Sequence, residues 1–293
     1  YFDYLKGWLE IAPRVGLYEY YAKSSWLNLP FAVSHATVRH IKAVHELGVR
    51  ALQSQFNSAF GSNGWLYYLV TKLLWNPGYD PAAGFVEYCR DLYGPAAAAV
   101  REYHETLERR FVDSGLHIAL TNAPFEEIVR MFDEETRTRL GTILDDALAA
   151  ASDDRVRRRI RMLRTVLDYI DALTSYLDGI MLDAYRFDSL SEEERAQHVR
   201  RAERVRSIRE SEEGRQALGR PPHVMDNGKK CYTLRNLIPE DAAAHYRGEL
   251  ENLYAFMPRE EAPFLYEEGD QRYPRATGGS GTDERTREEI AGY

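Results

Sequence analysis

"DDRVRRRIRMLRTVLDYIDALTSYLDGIMLDAY", residues 153–185, is the stretch whose reading decides how most of the chain folds. Val156, Ile160, Leu163, Leu167, Ile170, Thr174, Leu177 and Met181 follow alternating steps of four and three, the stripe of a packed helix. Val166, Tyr169, Leu173, Tyr176 and Ile180 form a second stripe beside it. An apolar face of that width suits a bundle better than a two-stranded coil. A long helix from Asp153 to about Tyr185 is therefore the expected centre of a helical domain.

Working outward, most neighbouring segments also read as helices. Arg137 to Ala151 precedes the long helix, and Glu192 to Glu213 follows it with a thin apolar stripe and many charges, as an exposed outer helix would. "HVMDNGKKCYTL", 223–234, reads as a short hairpin around Asn227-Gly228. "PEDAAAHYRGELENLYAF", 239–256, reads as a last helix, and the polar stretch from 257 to 293 as disordered. On the other side, "WLYYLVTKLLW", 65–75, is apolar nearly all round and should be sandwiched between other elements. "NPGYDP", 76–81, breaks it, with Asp80 as N-cap and Pro81 at the first helical position of the next helix. That helix runs to Gly94, and Pro95 opens another, the two forming a helical hairpin.

The first 75 residues are different. "FDYLKGWLEI", 2–11, has one apolar helical face, and Pro13 marks its end. "VGLYEYYAKSSW", 15–26, begins as a strand; Ser34 stands as N-cap of a helix that Gly48 ends; "VRALQSQF", 49–56, is the next strand. Helix, strand, helix, strand with short connections predicts a parallel α/β arrangement. Strand alternation puts Val15, Leu17, Glu19 and Tyr21 on one side, and Val49, Ala51, Gln53 and Gln55 on one side of the second strand. If these are the same side, Glu19, Gln53 and Gln55 point into one mouth, with Tyr21 and Trp26 as aromatic walls. A carboxylate, amides and ring faces are the groups that grip a sugar. Glu19 next to Lys23 also fits a purely structural carboxylate, and the glutamines fit satisfied interior amides.

Other classes of function are disfavoured. The net charge of −8 comes from interleaved signs, which speaks against nucleic acid as partner. No run approaches the ~18 apolar residues of a membrane span. His35, His40 and His45 are spaced in steps of five, about 140° apart on an ideal helix turn after turn, and cannot converge on a metal. Cys89 and Cys231 match no metal or redox spacing, and Cys89 with His104 is too weak a pairing for a nucleophile. No metal and no cofactor is expected. With 44% hydrophobic residues there is enough chain for one large core or two modest ones, and an opening at Tyr1 that reads as the middle of a structure leads us to expect a piece of a longer protein.

"GLYEYY", 16–21, "LLWNPGYD", 73–80, and "FVEYCRDLYGPAAAAVREYHETLERRF", 85–111, carry a resemblance, and "LDDALAAASDDRVRRRIRMLRTVLDYI", 144–170, extends it to about Tyr185. They are similar to the C-terminal region of a family of large bacterial proteins with a domain of unknown function. The N-terminal part of that family is similar to α-glucuronidases, and its barrel belongs with the glycoside hydrolase barrels, related in style to β-hexosaminidases. The resemblance implies an α/β plus all-α chain. By the resemblance residues 1–75 would be the last βα units of a (β/α)8 TIM-type barrel; the reading of the residues themselves adds 76–213 as a helical bundle, 214–256 as a hairpin plus helix extension and 257–293 as a disordered tail. The resemblance implies a glycoside hydrolase acting on an oligo- or polysaccharide but carries no residue role over; the strand reading supplies Glu19 as acid, base or substrate-orienting carboxylate and Tyr21, Trp26, Gln53 and Gln55 as substrate contacts, with the second carboxylate upstream of Tyr1 unless a substrate acetamido group replaces it. The alternative is a carbohydrate-binding or scaffolding module with no chemistry of its own.

Overall fold

The computed structural model describes residues 1–12, 14–22, 26–54, 56, 58–115, 125–219 and 237–254 of the 293-residue chain. The chain begins with α1 (Phe2–Ile11), β1 (Gly16–Glu19), α2 (Ser34–Glu46) and β2 (Ala51–Ser54). Then come α3 (Phe60–Trp75), α4 (Pro81–Tyr93), α5 (Ala97–Asp113), α6 (Phe125–Met131), α7 (Glu134–Ala150), α8 (Asp154–Asp183), α9 (Glu192–Glu210), α10 (Glu212–Leu218) and α11 (Pro239–Tyr254).

The long helix forms as its pattern dictates. Asp153 caps it by accepting from the Arg155 and Val156 amides at 2.8 and 2.9 Å. Of the two stripes only Met181 is not buried. Helices α3, α4, α6, α7, α9, α10 and α11 all pack against α8. The outer helix α9 starts at a capping box, Ser191 with Glu194, and sends only His198, Ala202 and Val205 inward. There His198 Nε2 meets Asp183 Oδ2 at 2.8 Å, tying α9 to the end of α8. The expected continuation of α9 to Glu213 breaks at Ser211, whose side chain accepts from the Gly214 amide and starts α10.

Other local readings also hold. Asp80 Oδ1 accepts from the Ala82 and Ala83 amides, with Pro81 at the first helical position of α4. Gly48 follows α2 at φ +106°, a conformation that strains any other residue. Ser34 differs: it is the first helical residue of α2, and its side chain makes no cap. In α3 most apolar residues are buried, but Trp75 at its end is 91% exposed. The expected hairpin, the polar tail, Gln55, Lys23 and Cys231 lie outside the described residues.

The expected TIM-type barrel is not there. The described residues contain two strands of four residues each, paired in parallel with Gly16 opposite Ala51 and Glu19 opposite Ser54, and the chain is mainly helical. The alternation of helix and strand in the first 75 residues is used up by one β-α-β unit. Closing a barrel takes enough strands to curl a tilted sheet onto itself, and a two-stranded ribbon has none to close with. One face of the ribbon packs Leu17 and Leu52 with Leu5, Leu9, Val44 and Val49 from α1, α2 and the lead into β2. The opposite face presents Tyr18 and Gln53, both exposed.

The first 75 residues and the bundle share a core. Trp26, fully buried, joins the main cluster through ring contacts to Phe31, Phe111 and Phe132. Behind it Leu27 and Asn28 both adopt left-handed backbone, φ 57° and 64°, which for leucine costs about 1–2 kcal/mol. Three hydrogen bonds hold them: Tyr169 Oη donates to Leu27 O at 3.1 Å, Asn28 Nδ2 to Leu218 O at 2.9 Å, and the Leu29 amide to Trp26 O at 3.0 Å. Where α3 crosses α10, a Cβ added at Gly61 would sit 2.6 Å from Ala217 O, so only glycine permits that approach. Among the described residues no helix is long and apolar enough to cross a membrane.

Replacing a residue of the α8 stripe should show how much depends on it. Leu167→Ala, at a position only 6% exposed, is expected to lower unfolding free energy by about 2–5 kcal/mol. Leu182→Ala on the same helix, 76% exposed, should stay within about 0.5 kcal/mol of wild type in the same denaturant titration.

Candidate functional site

Glu19 is the last residue of β1, and the register sets what it faces. Residues paired across a parallel ladder share a face, so Glu19 lies with Ser54, Leu17 and Leu52 on the side covered by α1 and α2. Gln53 pairs with Tyr18 and lies on the other side, so it does not share a mouth with Glu19. The sequence could not align the two strands, and a shift of one residue exchanges the faces.

What meets Glu19 is a set of rings. Tyr1 Oη donates to Glu19 Oε1 at 2.6 Å, His40 Nε2 lies 3.2 Å from Tyr1 Oη and 3.5 Å from Glu19 Oε1, and Tyr21 Oη lies 2.9 Å from His40 Nδ1. With His40 carrying its proton on Nε2 alone, every short contact is satisfied. Tyr21 donates to Nδ1, the Nε2–H of His40 donates to Tyr1 Oη, and Tyr1 donates to the carboxylate. In that tautomer the donors run in one direction, and the last of them, Tyr1, donates to Glu19. The Glu19 and His40 side chains keep 26% and 22% of their surface exposed, so the carboxylate end is reachable while Tyr21, 6% exposed, is not.

The tyrosines hold their protons firmly. Partial burial of the Tyr1 hydroxyl, then its bond to Glu19 and that carboxylate's charge, push its ionisation up to about 12. Burial first, and then the charge of Glu19, raises Tyr21 in the same direction. Both are neutral donors across the physiological range.

The other expected contacts separate. Trp26 does not face a ligand: it is fully buried, its Nε1 donates to Pro30 O at 2.8 Å, and its ring fills the bundle core. An indole whose N–H finds a carbonyl of its own turn is free to be packed on all sides. Tyr21 is in the cluster, but by its hydroxyl and not as an open aromatic wall. Tyr18 and Tyr20 stack edge to face on the opposite side of the ribbon, ring centroids 5.1 Å apart.

Tyr1 and His40 are the members that sequence reasoning passed over. His40 sits beside Thr37, Ile41 and Val44, the buried face of α2, and a histidine inside an inward-facing stripe was the available signal. The other two histidines of that helix part from it, as their spacing requires: His35 Nδ1 meets Glu108 Oε1 at 2.7 Å, and the His45 carbonyl accepts from Arg50 Nη1 at 2.7 Å. Among the described residues no group of three or more potential ligands converges on a metal position. Cys89 is fully buried, and burial pushes its thiol up to about 12, so it is no nucleophile.

The sign of the Tyr1 shift gives a test. A hydroxyl whose folded pKa lies above the unfolded value of 10.0 stabilises the fold fully below about pH 10, and that contribution is lost as pH rises through about 12. Tyrosinate absorbance of wild type minus Tyr1→Phe should therefore show no ionisation near pH 10 and a step only near 12. A step at the ordinary value would mean that Tyr1 does not donate to Glu19.

No curated protein and no solved structure matches the chain. Over residues 1–105, roughly a third of its length, it matches the family model described as Domain of unknown function (DUF4838), a segment that spans α1 to α4, part of α5, and every member of the Glu19 cluster.

Proposed function

We propose that the protein acts on carbohydrate, and that Glu19 is the carboxylate that takes up a hydroxyl of a sugar, or of the water that cleaves a glycosidic bond. One observation supports this reading: Tyr21, His40 and Tyr1 are hydrogen-bonded in series to a partly open carboxylate at the C-terminal end of paired parallel strands. Ligands of open α/β sheets gather at that end of the strands. With one oxygen already accepting from Tyr1, Glu19 would act in hydrolysis as base or orienting group through the acceptor capacity it has left, with His40 and Tyr1 as positioning residues. The resemblance of "GLYEYY" and "LLWNPGYD" to a family with glycoside hydrolase features supports the same class of substrate.

A second reading has its own support. Glycosidic cleavage normally takes two carboxyl groups about 5–9.5 Å apart, and the described residues bring only Glu19 into the cluster. A carbohydrate-binding module without chemistry needs no second one.

Assays on a panel of aryl glycosides, with Glu19→Gln beside wild type, separate the two. Hydrolysis with Glu19 as base predicts a fall in turnover of about 10²–10⁴ with the melting temperature unchanged. The binding module predicts no turnover in either protein and weaker oligosaccharide binding in the variant. Turnover per folded molecule unchanged by Glu19→Gln would remove Glu19 from catalysis.

A further inference from the structure

A concave site lies away from the ribbon, where α3, α4 and α8 meet. It is a cleft of about 540 Å³, within the ~300–1,000 Å³ typical of small-molecule sites. Its walls are rings. Phe56 and Phe60 stand against Tyr67 with centroids 4.7 and 5.4 Å apart, and Tyr88 from α4 closes the far side. Phe60 is 62% exposed, so an aromatic edge stands at the surface of this cleft.

Arg159 of α8 is the one charged residue in the lining. Its Nη1 donates to Leu92 O at 2.7 Å, which fixes the guanidinium and leaves its other N–H groups for a partner. What sets Arg159 apart from the other arginines in the first turns of α8 is its place in the cleft wall. Among the described residues no carboxylate is within ion-pair distance of Arg159. The Asp153 carboxylate at the start of α8 feels the Arg159 charge without forming an ion pair with it, and a cation so placed at an aromatic wall favours an anion with a flat apolar body, because the rings take the body and the fork of the guanidinium takes the carboxylate.

We propose that this cleft binds a small aromatic or conjugated carboxylate, with Arg159 holding the carboxylate and Tyr67 and Tyr88 flanking the apolar part. Neighbouring chemistry agrees. Burial raises Tyr88 and pushes Tyr93 up to about 12 while the Arg159 charge pulls both down, so the guanidinium stands next to neutral hydroxyls that do not compete for it as anions. The proposal is independent of the role of Glu19.

Calorimetric titration with 2-naphthoate and with its neutral counterpart 2-naphthalenemethanol tests it. Wild type should bind the carboxylate at least about tenfold more tightly than the alcohol, the scale of one charge-assisted hydrogen-bonded contact. Arg159→Gln should abolish that preference and leave the alcohol's affinity unchanged, and Arg159→Lys, which keeps the charge, should retain part of it. Thr71→Trp, at an exposed lining position, should block both ligands without lowering the melting temperature. Equal affinities in wild type, a preference that survives Arg159→Gln, or no binding of naphthoate would each overturn the proposal.

Discussion

The rest of the structure depends on the burial of α8. Its two apolar stripes leave no single partner able to cover them, so several helices pack around one. Ile160, Val166, Ile170, Tyr176, Leu177 and Ile180 are without solvent exposure. At about 1.5–3 kcal/mol for each fully buried aliphatic or aromatic side chain, before conformational entropy is set against it, this contact set is the main source of order in the chain. The ion pairs around it, such as Arg164 with Asp145 or Arg204 with Asp171, are largely solvated and add little.

The bundle in turn holds the ribbon. A two-stranded sheet is marginal by itself, and here one of its faces is left exposed. Two features compensate. Helices α1 and α2 cover the inner face, and the turn from Trp26 to Pro30 locks the chain leaving β1 into the bundle, with Trp26 as the plug and Tyr169 and Leu218 as the hydrogen-bonding partners of a strained backbone. The left-handed Leu27 is tolerated because the surrounding contacts over-determine it. Asn63 adds to the same fixture by accepting from the Phe31 amide at 2.8 Å and donating to Leu29 O at 3.3 Å.

The position of Glu19 follows from these constraints. Its strand is anchored downstream by Trp26, its face is set by the Glu19–Ser54 register, and its rings come from Tyr1 at the head of α1, Tyr21 just past β1 and His40 of α2. The aromatic cleft has a different origin: α3 and α4 bring rings against α8, and Arg159 lies there because the first turns of α8 are rich in arginine while its apolar stripes face inward. Each site is thus a by-product of packing that serves stability first.

The sequence by itself determined the elements with strong local physics: the long helix and its stripes, the Asp80–Pro81 start of α4, the Gly48 stop, and the existence of two strands with Glu19 at the end of the first. These rest on periodicity, capping and backbone freedom, which act over a few residues. Tertiary structure alone decided three things. Among the described residues the strands pair as a two-stranded parallel ribbon and no barrel is formed, because closure is a property of strand number and not of any one strand. Gln53 falls on the face opposite Glu19, because register depends on the partner strand. Trp26 goes into the core, while Tyr1 and His40, 18 and 21 residues from Glu19, reach its carboxylate, because such contacts are made between elements and leave no local trace in the chain.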